Sequence, residues 1–223
     1  MNNIVLKAEN ITKTFLEPAP LELLKGINLE VEHGQSVAII GKSGEGKTTL
    51  LHILGSLDEP TSGTLTMLGQ NITTQNKNTL RNKSIGFVFQ AFHLLEDATV
   101  LENILLPLAI SRQDISPHSE NYAKAIQLLQ KLGLYERRHL HALKLSGGEK
   151  QRLGIGRAFI TNPEIIFADE PTGNLDHQTA AEIQELLLTW VENEGKALVV
   201  VTHSQDLAKR CNKTYLLESG LVS

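Results

Sequence analysis

The eight residues Gly41-Lys42-Ser43-Gly44-Glu45-Gly46-Lys47-Thr48 constrain this 223-residue chain more than any other segment. They satisfy G-x-x-x-x-G-K-[ST], in which glycines let the backbone fold around phosphate oxygens while a lysine and a hydroxyl complete the shell. Residues 36–40 before them are short, apolar and β-branched, and residues 48–54 after them put leucines on one helical face. Strand, glycine turn and helix in that order commit the chain to an α/β fold with an anion site at a strand's carboxyl end. Lys47 is expected to reach the β and γ phosphates of a nucleotide, and Thr48, followed by Thr49, to join the shell of a Mg²⁺ ion. Glu45 is unusual company for phosphate. Its side chain is expected to point outward, leaving its N–H to the ligand.

A second glycine turn lies far downstream, in Leu145-Ser146-Gly147-Gly148-Glu149-Lys150-Gln151-Arg152. Ser146, Gly147 and Gly148 offer a hydroxyl, two unhindered N–H groups and a helix dipole to an anion. Ser146 followed three residues later by Glu149 is also an ordinary capping box, and local reasoning leaves both roles open. Two such turns, only one of them carrying the phosphate lysine, imply a nucleotide held between two copies of the chain.

Three further strand ends carry polar side chains. Ile165-Ile166-Phe167-Ala168-Asp169-Glu170 is an apolar strand closing on two carboxylates. At a parallel sheet's carboxyl end Asp169 can hold Mg²⁺, and Glu170 can polarise an attacking water as general base. Gln90 ends the strand at 85–89, where a neutral amide can contact both the ion and the water. His203 ends the all-apolar run 197–202, where an imidazole can reach a γ-phosphate.

The remaining pattern alternates strand and helix. Strands are expected at 5–15, 26–31, 65–68 and 213–217, and a helix at 178–192. Near-continuous apolar strands argue for a parallel sheet covered on both faces. Residues 91–145 read as a helical lobe inserted into that core, with helices at 99–106 and 120–132, broken into pieces by Pro107 and Pro117. Net charge is −4, so no global basic field points to nucleic acid. The single cysteine, Cys211, excludes an internal disulfide and fits a reducing compartment. Residues 1–7 lack a basic leader and long apolar core, and no apolar run approaches the roughly 20 residues that span a bilayer. Direct membrane insertion is therefore not expected.

Taken together and in this order, the motifs resemble the ATP-binding subunits of ABC transporters along essentially the whole chain. Gly41 to Thr48 resembles the Walker A loop, Gln90 the Q-loop and Leu145 to Arg152 the signature motif. Ile165 to Glu170 resembles Walker B, Gly173-Asn174-Leu175-Asp176 the D-loop and His203 the switch histidine. Phe15 stands where the family usually has an aromatic that stacks on adenine. Stretches 50–63 and 80–90, with Leu101-Glu102-Asn103 and the pair Gly173-Asn174, resemble the LolD/MacB/FtsE subgroup, and within it the lipoprotein-release ATPases most closely. Departures are Glu45, Lys150, Phe15 and Phe167, none of which removes a catalytic group.

The resemblance implies one ATPase domain over residues 1–223, with a RecA-like parallel core, an N-terminal antiparallel β subdomain and a helical subdomain over roughly 91–160. It implies ATP and Mg²⁺ as ligands and a head-to-tail homodimer with ATP sandwiched between Walker A and the partner's signature. It further implies integral membrane permease partners (LolC/LolE-like), a peripheral place on the cytoplasmic face of the bacterial inner membrane, and lipoprotein release as the work done. FtsE-like division or MacB-like export is the alternative within the subgroup.

Overall fold

The apolar runs pair into two sheets, seen in a computed structural model that describes residues 3–223. Met1 and Asn2, at the head of the segment expected to lack a leader, lie outside the described residues. The first sheet is antiparallel. Strand β1 (Ile4–Phe15) pairs with β2 (Leu21–Glu32) on one side and β4 (Ser62–Met67) on the other, and the two-residue β5 (Gln70–Asn71) extends β4.

The second sheet has the order β10-β9-β3-β8-β7-β6, built from β3 (Ser36–Ile40), β6 (Ile85–Phe89), β7 (Ile165–Asp169), β8 (Ala197–Val201), β9 (Lys213–Glu218) and β10 (Leu221–Val222). All its pairings are parallel except β9 with β10. Side chains alternate across a strand, so a strand covered on both faces must be apolar throughout. Ala197, Val199 and Val201 enter one core with Phe167 and helix α1 (Lys47–Leu54). Leu198 and Val200 enter a second core on the other face. That second core is closed by α5 (Gly147–Phe159), α6 (His177–Asn193) and α7 (Gln205–Arg210).

A third core joins α3 (Val100–Ile110), α4 (Glu120–Lys131) and the buried face of α5. Pro107 does not break this region, as its type suggested; it sits inside α3, which runs on to Ile110. An interior proline costs a helix about 3 kcal/mol because it removes one hydrogen bond and crowds a carbonyl. Here Ile104, Leu105 and Leu108 bury their side chains around it. Asn103, fully buried, reaches from the same turn to the backbone N–H and C=O of Leu95. The short α2 (Lys77–Ser84), α7 and the two-residue strands carried no readable periodicity. Helix α2 buries only Leu80 and Ser84.

Because β3 lies beside β8, and β8 beside β7, their carboxyl ends stand next to one another. That places the glycine turn after Ile40, the carboxylates after Ala168 and His203 on one edge of the sheet.

Candidate nucleotide site

Helix α1 begins on the anion-binding turn and is left open there. Its cap residue Gly46 has φ of 95° and provides no side-chain cap. By contrast α3, α4, α5, α6 and α7 are capped by Thr99, Ser119, Ser146, Asp176 and Ser204. Free N–H groups and the positive dipole end of α1 therefore face the cleft. Glycine is required at two points of the turn. A Cβ on Gly41 would stand 2.3 Å from the Leu217 carbonyl oxygen, and one on Gly46 would meet the Leu23 side chain at 2.8 Å.

Lys47 is buried, and its ammonium donates to the carbonyls of Gly41 (2.9 Å) and Lys42 (2.8 Å). An ammonium has three N–H donors, so one remains for a phosphate oxygen. The Thr48 hydroxyl donates to Asp169 Oδ1 at 3.1 Å across 121 residues of chain. A hydroxyl and a carboxylate oxygen side by side suit a hard cation such as Mg²⁺, which takes a few protein oxygens and completes its shell with phosphate and water. Among the described residues no cluster of three His, Cys, Asp or Glu side chains forms a cage of its own.

Glu170 takes a left-handed backbone (φ 43°) directly after β7. Its carboxylate accepts the His203 backbone N–H at 3.1 Å, and Oε1 lies 3.2 Å from His203 Nε2. Burial pushes this carboxyl above the ordinary glutamate value of 4.5, with Asp169 adding to the rise and His203 and Lys47 opposing it. A raised value means that Glu170 takes its proton at a higher pH than a free glutamate, so a base here is lost earlier on acidification. The acid limb of the pH–kcat profile is expected to lie above 4.5. A limb at or below that value would contradict Glu170 as the base.

These side chains converge on a cleft of about 600 Å³. Ser43, Gly44, Gly46, Lys47, Thr48 and Thr49 form its floor, and Gln90, Glu170 and His203 its rim. Phe15 stands apart at the end of β1, 41% exposed, with Lys13 Nζ 5.4 Å from its ring centroid. Ser146, Gly147 and Gly148 are not in this cleft. Ser146 and Glu149 form the capping box, and the two glycines abut Leu175 and Thr179. One copy of the chain therefore does not join its two glycine turns.

Three partners were not legible in the sequence. Leu23, which lies ahead of the strand expected at 26–31 and inside β2, borders the phosphate turn. Glu45 does leave the loop, but its carboxylate accepts the Ser219 N–H at 2.7 Å and ties the turn to the β9–β10 hairpin. Asn174 pairs twice with Gln90: its Oδ1 accepts from Gln90 Nε2 (3.2 Å) and its Nδ2 donates to the Gln90 carbonyl (3.1 Å).

A phosphate turn on an open helix end, a hydroxyl–carboxylate pair and a half-buried glutamate at adjoining strand ends define a P-loop nucleoside triphosphatase. More narrowly, the chain belongs to the ABC transporter family, whose profile matches residues 24–173. It is 51% identical over 221 residues to the lipoprotein-releasing system ATP-binding protein LolD of Protochlamydia amoebophila, covering 99% of this chain and 97% of that one. The LolD protein of Francisella tularensis is 42% identical over 224 residues, covering 99% and 96%. Among solved structures, a dimeric ATP-binding cassette in a post-hydrolysis state with ADP and Pi superposes with a TM-score of 0.88 at 36% identity, over 98% of this chain and 96% of that one. CbiO1 of Clostridium perfringens, part of an ABC transporter complex, gives 0.86 at 26% identity over 100% and 88%.

Proposed function

We propose that this chain is the ATP-hydrolysing subunit of an ABC transporter complex that releases lipoproteins from the bacterial inner membrane toward the outer membrane. The observation that carries the ATPase assignment is the placement of Glu170, half-buried and held by His203, at the rim of the cleft floored by Lys47 and Thr48. The cargo rests on the full-length relatives that bear the lipoprotein-releasing name.

In this reading Lys47 and the turn N–H groups from Gly41 to Gly46 hold the β and γ phosphates. Thr48, Asp169 and Gln90 would hold Mg²⁺, which when bound offsets phosphate charge. Glu170 takes a proton from the water that attacks the γ-phosphorus, and His203 donates a hydrogen bond to a γ oxygen. Phe15 offers its exposed ring to adenine. Ser146, Gly147 and Gly148 of a second copy close the site, which makes a head-to-tail homodimer the catalytic unit; that the similar cassette bound to ADP and Pi is dimeric supports a dimer.

No helix among the described residues is long and apolar enough to cross a membrane. The subunit would sit peripherally on the cytoplasmic face of the inner membrane, on integral permease subunits of the LolC/LolE kind. The stretch from 90 to 106 would face them, within a helical subdomain of roughly 91–160. The test is reconstitution with those permeases in vesicles that carry an acylated lipoprotein. ATP is expected to move lipoprotein into the soluble phase. Brisk hydrolysis with no release would sink the cargo assignment and leave the ATPase standing.

A further inference from the structure

The loop after Gln90 is held in an unusual way. Phe92 and His93 are consecutive non-glycine residues with left-handed backbones, φ 60° and 48°. Single residues visit that region; two in succession need surroundings that over-determine them. Local backbone bonds, from Phe92 N–H to the Phe89 carbonyl and from His93 N–H to the Ala91 carbonyl, close the turn, and one side chain holds it from outside. Arg157, near the end of α5, donates from Nη2 to the Phe92 carbonyl at 2.7 Å and from Nη1 to the His93 carbonyl at 2.5 Å. The planar guanidinium is suited to two acceptors side by side, where an ammonium presents a point charge. The His93 ring is seated edge-on against Phe89 at 4.8 Å, next to the strand end that carries Gln90.

Arg157 makes no ion pair among the described residues, and it is partly withdrawn from water; that burial pulls its proton affinity down with no carboxylate to offset it. A cation desolvated without a counter-charge is poorly explained as a stabilising device, because an apolar side chain of similar length would fill the space at less cost. Strain in the loop and charge in the helix have the same result: the turn from Gln90 to His93 is kept in one conformation. Its other end is held by the double Gln90–Asn174 contact, and Gly173 leaves room for it, since a Cβ there would lie 2.7 Å from Gln90 Nε2.

We propose that Arg157 is a positioning residue for Gln90: its guanidinium clamps the Phe92 and His93 carbonyls and so links the orientation of helix α5, which begins at the second glycine turn, to the amide at the rim of the phosphate cleft. The inference rests on the ATPase reading above. It makes Arg157 part of the route by which a partner at the start of α5 is felt at Gln90, without contact between Arg157 and nucleotide.

The test is a double-mutant cycle on the assembled permease complex with Arg157→Met, Gln90→Ala and the pair. Arg157→Met keeps the apolar stem and removes the fork. It is expected to lower kcat about tenfold, leave KM for ATP within about twofold and leave the melting temperature within about 2 °C. Arg157→Lys, which keeps charge without the fork, is expected to recover part of the loss, and it carries the test if the methionine variant does not fold. In the Gln90→Ala background, Arg157→Met is expected to cost nothing further. Losses that multiply in the double variant, a raised KM with kcat intact, or full activity in Gln90→Ala would each overturn the proposal. Hydrolysis by the wild-type complex is the separate readout of the functional reading itself.

Discussion

Glu170→Gln is expected to reduce steady-state ATP hydrolysis by about 10²–10⁴-fold while leaving ATP binding intact. The amide has the carboxylate's shape but cannot take a proton from water. Folding should not suffer. The wild-type carboxyl is half-buried and its charged form is disfavoured by that desolvation, so a neutral side chain relieves a cost. The contact to the His203 N–H survives through the amide oxygen. The phosphates remain with Lys47 and the open end of α1, so the variant should accumulate as an ATP-bound dimer. Single-turnover chemistry and size-exclusion chromatography with Mg-ATP read the two halves of this expectation. Hydrolysis at the wild-type rate would remove Glu170 from the role of base.

Gly147→Asp is expected to abolish turnover of the homodimer, by at least about a hundredfold, without unfolding the monomer. A carboxylate in the first turn of α5 is favourable to the helix dipole by about 0.3–1 kcal/mol. The added Cβ meets only the end of the Leu175 side chain, at 3.2 Å, which can shift. What the substitution would harm is the surface proposed to meet an anion: it sets a negative charge where a partner's γ-phosphate would approach. Mixed dimers with one wild-type and one Gly147→Asp copy locate the damage. The phosphate loop of the wild-type copy should go silent, and that of the variant copy should keep its activity. If the lesion instead silences the loop on its own chain, the two glycine turns do not complete one site in trans.

Much of the site was readable because its parts are local. The phosphate turn needs glycines where φ is positive, a lysine and a hydroxyl within eight residues, and each of those demands leaves a residue type in place. Likewise a strand buried on both faces must be apolar at every position, so 165–168 and 197–201 announced a parallel sheet. Pro107 misled for the complementary reason. A helix-breaking residue was judged by its own cost, while burial of α3 around Asn103 decided the outcome. Helix α2 escaped notice because an exposed, polar, short helix has no periodic face to show.

Sequence alone determined which chemistry the chain can do, through turn geometry, side-chain type and the apolar period, all set within about ten residues of chain. Only the tertiary structure decided which groups meet. Glu45 finds the Ser219 N–H across 174 residues, Thr48 finds Asp169, Gln90 finds Asn174, and Arg157 finds the two carbonyls beyond Gln90. These meetings follow from a sheet order in which β3 lies between β8 and β9, and from helices laid over both its faces. That order is set by summed packing over the whole core, and no single segment records it.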